Sequence, residues 1–167
     1  MSTITEDLVD VVVEIPTGTR NKYEFDEKTG RLRLERQLPT SVVYPADYGF
    51  VPQTLAEDGD SLDALILIDE PVIPGCIVRV KPLGVLWVSD EHGMDPKLIT
   101  LLPEVAEDVG WRELTDLPPR RLEEIEHFFS VYKDLEPERD AATHGYGTRE
   151  EALAVVADCR RRFASAG

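Results

Sequence analysis

Positive charge is scarce in this chain, with 18 lysines and arginines against 33 aspartates and glutamates in 167 residues, a formal charge of −15. The longest basic block is Arg160-Arg161-Arg162, so the electrostatic footprint of a duplex-binding protein is missing. Single-strand-binding faces need a basic groove with stacking aromatics, so the charge also argues against nucleic acid of that kind, and anionic membranes are disfavoured likewise. Cysteine is nearly absent: Cys76 and Cys159 lie far apart, which fits neither a metal knuckle nor a disulfide scaffold. No run approaches the length of a membrane span. Met1 to Asp7 carries no basic residue, and the apolar run behind it is broken by Asp10 and Glu14, so no signal peptide is expected and the cytoplasm is the expected compartment.

What is present is enough apolar material for one core, 42% of residues, with no repeat, low-complexity tract or linker. Residues 1–167 are therefore expected to form a single domain. The first two-thirds reads as short strands at Leu8–Ile15, Lys22–Asp26, Arg31–Glu35, Leu65–Ile68, Ile77–Val80, Gly84–Val88 and Leu98–Leu102. Prolines 39, 45, 52, 71, 74 and 82 punctuate the stretches between them. Alternation in Arg31-Leu32-Arg33-Leu34 places both leucines on one face, and Lys28-Thr29-Gly30 supplies a hairpin turn. With no helix long enough for crossovers in that region, an antiparallel barrel is expected rather than a doubly wound parallel sheet.

The last third reads as helical. Leu122, Ile125, Phe129 and Tyr132 share one face of a helix that begins after Pro118-Pro119. A second helix begins at Thr148, spaced from Glu151 as in a capping box. Ala152, Val155, Val156, Cys159 and Phe163 share its inner face, and its three arginines are placed toward the negative pole. Cys159 is thus expected in the core. Apolar residues near Phe128 are expected to offer an interface.

The chemistry concentrates in Glu57-Asp58-Gly59-Asp60-Ser61-Leu62-Asp63, directly before the apolar strand Ala64-Leu65-Ile66-Leu67-Ile68. Carboxylates crowded at one strand entrance repel unless a cation lies between them, and hard oxygen ligands select Mg²⁺, Mn²⁺ or Ca²⁺. An EF-hand is excluded because Leu62 and Asp63 would occupy positions that need a ligand and a glycine. A second cluster, Asp90-Glu91-His92-Gly93-Met94-Asp95-Pro96-Lys97, follows another apolar strand with the same layout. Two such turns can line one barrel mouth, an arrangement suited to two-metal phosphoryl chemistry. Read singly, each turn is also an ordinary acidic loop. Lys22, Arg36, Lys97 and Lys133 are the cations placed near these segments, with tyrosines beside Lys22 and Lys133.

Together these segments resemble the soluble family I inorganic pyrophosphatases of bacterial type. Asp58-Gly59-Asp60-Ser61-Leu62-Asp63-Ala64 is similar to that family's signature, with Ser61 where proline is usual. The remaining family segments occur in order: Glu14-Ile15-Pro16, Asn21-Lys22-Tyr23-Glu24, Tyr44-Pro45-Ala46-Asp47-Tyr48-Gly49-Phe50, Asp90 to Lys97, and His127 to Glu136. Beyond Glu136, Pro137-Glu138-Arg139-Asp140 replaces the glycine and lysine usual there.

The resemblance implies a five-stranded OB-type antiparallel β-barrel flanked by two C-terminal α-helices, an α+β fold. It implies metal ligation by Asp58, Asp63, Asp90 and Asp95, with Glu14 joining directly or through water, and Asp60 as general base with Asp95 the second candidate. Lys22, Arg36, Tyr48, Tyr132, Lys133 and Lys97 would hold substrate, with Glu24 and Tyr44 completing the surroundings. His92 is expected as an exposed loop residue near a metal. The implied activity is Mg²⁺-dependent hydrolysis of pyrophosphate to two phosphates, Mn²⁺ being a substitute, by in-line attack of metal-activated water without a covalent intermediate. A homohexamer in the cytoplasm is the implied assembly. Two rivals are a phosphohydrolase acting on nucleoside triphosphates and a non-catalytic barrel that binds a divalent ion.

Overall fold

A computed structural model describes residues 7–167, and Met1 to Glu6, part of the segment read for a leader, lie outside the described residues. The chain forms β1 (Val9–Ile15), β2 (Asn21–Asp26), β3 (Arg31–Gln37), β4 (Asp47–Val51), β5 (Leu62–Leu67), β6 (Ile77–Asp90), β7 (Gly93–Met94), β8 (Lys97–Leu101), α1 (Pro103–Val109), α2 (Pro119–Val131), β9 (Ala141–Gly147) and α3 (Arg149–Ala166). Five strands close a ring in the order β1-β4-β5-β8-β6 and back to β1, the OB-type barrel. Hairpin β2–β3 forms a separate two-stranded sheet. Helices α2 and α3 are the two expected flanking helices, and short α1 adds a third.

One seam of the ring departs from the antiparallel expectation: β5 and β8 pair in parallel, with Asp63 opposite Lys97 and Leu65 opposite Ile99. The cause is chain order. Strand β6 crosses to pair with β1 and also pairs antiparallel with β8, so β8 comes to lie against β5 running the same way.

Strand β6 is one 14-residue strand where two were expected, because Pro82 interrupts the ladder without ending it. The register with β8 shifts between Pro82 and Gly84, a bulge that bends the strand so its first half serves β1 and its second half β8 and β9. Strands β4 and β9 have no clear strand pattern in sequence. In β4 every residue is buried, so polar-apolar alternation is absent, and Gly49 is required: a Cβ there would come 2.0 Å from the Val12 carbonyl oxygen across the β1–β4 seam.

Alternate strand residues feed two cores. Val11, Val13, Ala64, Ile66 and Val85 pack with Ala152, Val156 and Cys159 of α3. Ile15, Leu65, Leu67, Leu86 and Ile99 pack with Ile125, Phe128 and Phe129 of α2. Cys159 is in the core as expected, 3% exposed. Phe128 itself is buried in the core rather than exposed. It is 2% exposed and packs 4.7 Å from Tyr44 and 5.1 Å from Tyr132, ring centre to ring centre. Strand β9 covers α2, with the Tyr146 hydroxyl donating to the Leu122 carbonyl at 2.6 Å.

Thr148 caps α3 as expected, its hydroxyl accepting the Glu151 amide at 3.2 Å. Arg160-Arg161-Arg162 do not sit at the helix end, since α3 runs on to Ala166. Arg161 pairs instead with Asp158, and Arg162 Nη1 donates to the Leu55 carbonyl at 2.8 Å, tying α3 to the chain just before the first acidic turn.

Candidate active site

The first acidic turn is a short loop whose bonds are nearly all local. Gly59 adopts φ +93°, the Asp60 amide donates to Asp58 Oδ1 at 3.0 Å, and the Ala56 amide donates to the Asp60 carbonyl at 2.7 Å. Buried Thr54 anchors its base, donating to the Val51 carbonyl at 2.5 Å and accepting the Leu62 amide at 3.0 Å. These bonds hold the turn with Ser61 in place of proline. The second turn, between β6 and β8, is built alike: Asp90 Oδ1 accepts the His92 amide at 2.7 Å, Gly93 adopts φ +116°, and the Asp95 amide donates to the Val88 carbonyl at 2.8 Å.

Both turns open on the same mouth of the barrel. One carboxylate oxygen each from Asp58, Asp90 and Asp95 lies within 4.8 Å of the others. Three hard oxygen donors this close fit a divalent cation of the Mg²⁺, Mn²⁺ or Ca²⁺ kind. Burial raises the Asp58 carboxyl pKa above the ordinary value, and the neighbouring charges of Asp95 and Asp60 add to the effect.

The parallel seam supplies the centre of the site. Across it, Lys97 Nζ meets Asp63 Oδ2 and Asp95 Oδ2, each at 2.6 Å, and the Tyr48 hydroxyl at 2.7 Å. The Tyr48 hydroxyl in turn donates to Asp63 Oδ2 at 2.6 Å. Lys97 is 2% exposed, and burial opposes its charge, but the charges of Asp63 and Asp95 prevail and hold the ammonium protonated. Burial pushes the Asp63 carboxyl up to about 6 against the pull of Lys97. Burial likewise keeps the phenols of Tyr44, Tyr48 and Tyr132 protonated, as hydrogen-bond donors.

Glu14 reaches the same mouth from β1. The β1–β4 register shifts between Val13 and Ile15, a bulge around Glu14 of the kind that re-aims a side chain beside a site. Its carboxylate accepts the Phe25 amide at 2.7 Å, linking the barrel to hairpin β2–β3, and burial pushes its pKa up to about 8.

Every residue expected in the site except Arg36 lines a single cavity of about 320 Å³, Glu24, Tyr44 and exposed His92 included. Arg36 stands behind that lining, its Nη1 2.5 Å from Glu35 and its Nε 2.7 Å from Glu136. Lys22 pairs with Glu35 at 3.1 Å, and Lys133 lies 3.8 Å from Asp90 and 3.7 Å from Glu91. Lys97, expected to face substrate, spends its donors on the carboxylates.

Arg139 also lines the cavity and was not among the expected residues. Its turn departs from the family pattern, and Glu138 beside it adopts φ +63°, so local sequence carried only the presence of an arginine. The pairing carboxylates Glu35, Glu91 and Glu136 were not singled out either, since each reads as an ordinary charged residue.

An OB-type barrel whose mouth sets clustered carboxylates against lysines, an arginine and protonated tyrosines belongs to the class of metal-dependent sites for phosphoryl groups. Comparison with known proteins narrows the class. A model of the family described as "Inorganic pyrophosphatase" matches residues 11–164. The inorganic pyrophosphatase of Leifsonia xyli is 49% identical over 150 residues, covering 88% of this chain and 90% of that protein. That of Streptomyces coelicolor is 46% identical over 158 residues, covering 95% and 97%. The crystal structure of the inorganic pyrophosphatase from Thermus thermophilus superposes with a TM-score of 0.91 at 39% identity, covering 98% of this chain and 95% of that one. The chain belongs to the inorganic pyrophosphatase family.

Proposed function

We propose that this chain hydrolyses inorganic pyrophosphate to two phosphates, with Mg²⁺ as its working metal and Mn²⁺ able to substitute. The observation that carries the reading is the convergence of Asp58, Asp90 and Asp95 opposite Lys22, Lys133 and Tyr132 in one cavity. A protein of formal charge −15 repels pyrophosphate, so its binding needs local positive charge. Bound divalent ions supply it and lower the pKa of coordinated water toward neutrality.

Asp58, Asp90 and Asp95 would hold the metal, with Asp63 and Glu14 in reach to complete the ligand set. Lys97 bridges Asp63 and Asp95 and keeps both carboxylates aimed at the mouth, a positioning task. Asp60, exposed on the rim of the first turn, takes the proton of the attacking water. Asp95 is the weaker candidate for that task, because its Oδ2 already accepts from Lys97. Lys22, Tyr132 and Lys133 bind phosphoryl oxygens, with Arg36 behind them on the Lys22 side, while the Tyr48 hydroxyl, donated to Asp63, braces the site. His92 flanks the mouth without an essential part. The reaction needs no covalent intermediate.

Residues 1–167 act as one domain, assembled as a homohexamer in the cytoplasm; among the described residues no helix is long and apolar enough to cross a membrane. Sedimentation equilibrium would check the assembly. The deciding experiment is phosphate release from pyrophosphate with and without Mg²⁺, beside ATP, with Asp60→Asn as control. The expected result is Mg²⁺-dependent release from pyrophosphate in preference to ATP, reduced in Asp60→Asn by about 100-fold or more with metal binding retained. Folded protein that binds the ion but releases no phosphate would instead be an ion-binding module.

A further inference from the structure

Behind the cations of the mouth stand two carboxylates, Glu35 and Glu136, that the catalytic scheme leaves unused. Glu35 Oε2 is 3.1 Å from Lys22 Nζ and 2.5 Å from Arg36 Nη1, and Glu35 Oε1 is 3.9 Å from Arg139 Nη2. Glu136 grips the other side, 2.7 Å from Arg36 Nε, 3.2 Å from Arg36 Nη2 and 3.3 Å from Arg139 Nε. Both terminal nitrogens of the Arg36 guanidinium are thereby hydrogen-bonded, Nη1 to Glu35 and Nη2 to Glu136, while buried Nε lies beside the Glu136 carboxylate without a hydrogen bond of its own. Lys22 and Arg139 line the cavity, whereas Glu35 and Glu136 stand behind them. Glu35 is the hub, touching all three cations.

We infer that Glu35 is a positioning residue that stands in for a phosphate oxygen in the free protein, holding Lys22, Arg36 and Arg139 in their binding arrangement and setting how tightly the site retains phosphate. The inference rests on the pyrophosphatase reading. Lysine and arginine side chains are flexible, and ordering them in advance removes an entropic cost from substrate binding. The same carboxylate offsets part of their charge, so a phosphoryl group must share these donors with Glu35 rather than take them outright. Binding that holds substrate and product equally does not speed turnover, and a shared clamp lets phosphate leave.

The two effects separate by charge and by shape. Glu35→Gln keeps the shape and removes the charge, so it should bind inorganic phosphate about threefold more tightly or better, with a lower KM for pyrophosphate and a lower kcat. Glu35→Asp keeps the charge and should leave phosphate affinity within about twofold of the parent. Phosphate binding is read by calorimetry on the full chain with Mg²⁺ present, and turnover is read separately. Loss of turnover in the parent chain would overturn the pyrophosphatase reading, while the calorimetry reports on Glu35 independently. Unchanged or weaker phosphate binding in folded Glu35→Gln would overturn the inference. If Glu35→Gln does not fold, Glu136→Gln carries the same test with the same expected sign.

Discussion

Lys97 is the residue on which the site's electrostatics turn. A buried ammonium held by two carboxylates and a phenol is stable only while those partners remain, and breaking a buried ion pair costs about 3–5 kcal/mol by leaving charge unpaired. Lys97→Met should therefore destabilise the metal-free protein by about that amount, measured by urea unfolding. Added Mg²⁺ should restore part of the loss, because the ion replaces the ammonium as counter-charge to Asp63 and Asp95. A variant as stable as the parent without metal would show that the triangle around Lys97 contributes little. Arg36 was legible only in part: the sequence placed an arginine at a strand end near the site, but its engagement by Glu35 and Glu136, the latter a hundred positions away, depends on tertiary approach.

At the scale of elements, strand crossings carry the site. Gly49 lets β4 approach β1 so closely that a methyl group would meet the Val12 carbonyl at 2.0 Å, and the neighbouring residue Tyr48 delivers its hydroxyl to Asp63 and Lys97. Gly49→Ala should lower stability by about 3 kcal/mol in denaturant unfolding, since backbone rather than a movable side chain is in the way, and should lower activity by displacing Tyr48. Activity equal to the parent's would mean β1 and β4 can separate without moving the site. The helices α2 and α3 and the strands β1, β2 and β3 were readable from periodicity because each carries a local pattern. Strand β4 was not, because burial on both faces erases alternation, and β9, Ala-Ala-Thr-His-Gly-Tyr-Gly, owes its extended form to pairing with β6.

For the molecule as a whole, proton and metal binding are linked through the mouth. The Glu14 pKa stands at about 8 in the fold against 4.5 ordinarily, and Asp63 at about 6 against 3.8, so both are protonated more readily folded than unfolded. Their contribution to stability is present in full below about pH 4 and is lost as pH rises, through about 6 for Asp63 and about 8 for Glu14. Metal-free protein should therefore melt at a lower temperature at pH 8 than at pH 5.5, the growing negative charge adding to the effect. Saturating Mg²⁺ should raise the melting temperature more at the higher pH and release protons on binding, both measurable by calorimetry. A metal-induced stabilisation independent of pH would place these carboxylates outside the linkage.

The chain by itself determined the acidic turns, the order of the family segments, the two long helices and the kind of chemistry. These are local facts: carboxylate spacing, turn glycines and helical periodicity act over a few residues. Tertiary structure decided the rest. The parallel β5–β8 seam sets Lys97 against Asp63, the bulge in β1 brings Glu14 to the mouth, and a distant turn brings Glu136 to Arg36 with Arg139 paired to the same carboxylate. Such contacts join residues far apart in sequence, and only closing the barrel, which leaves no strand of the ring unpaired, brings them within bonding distance.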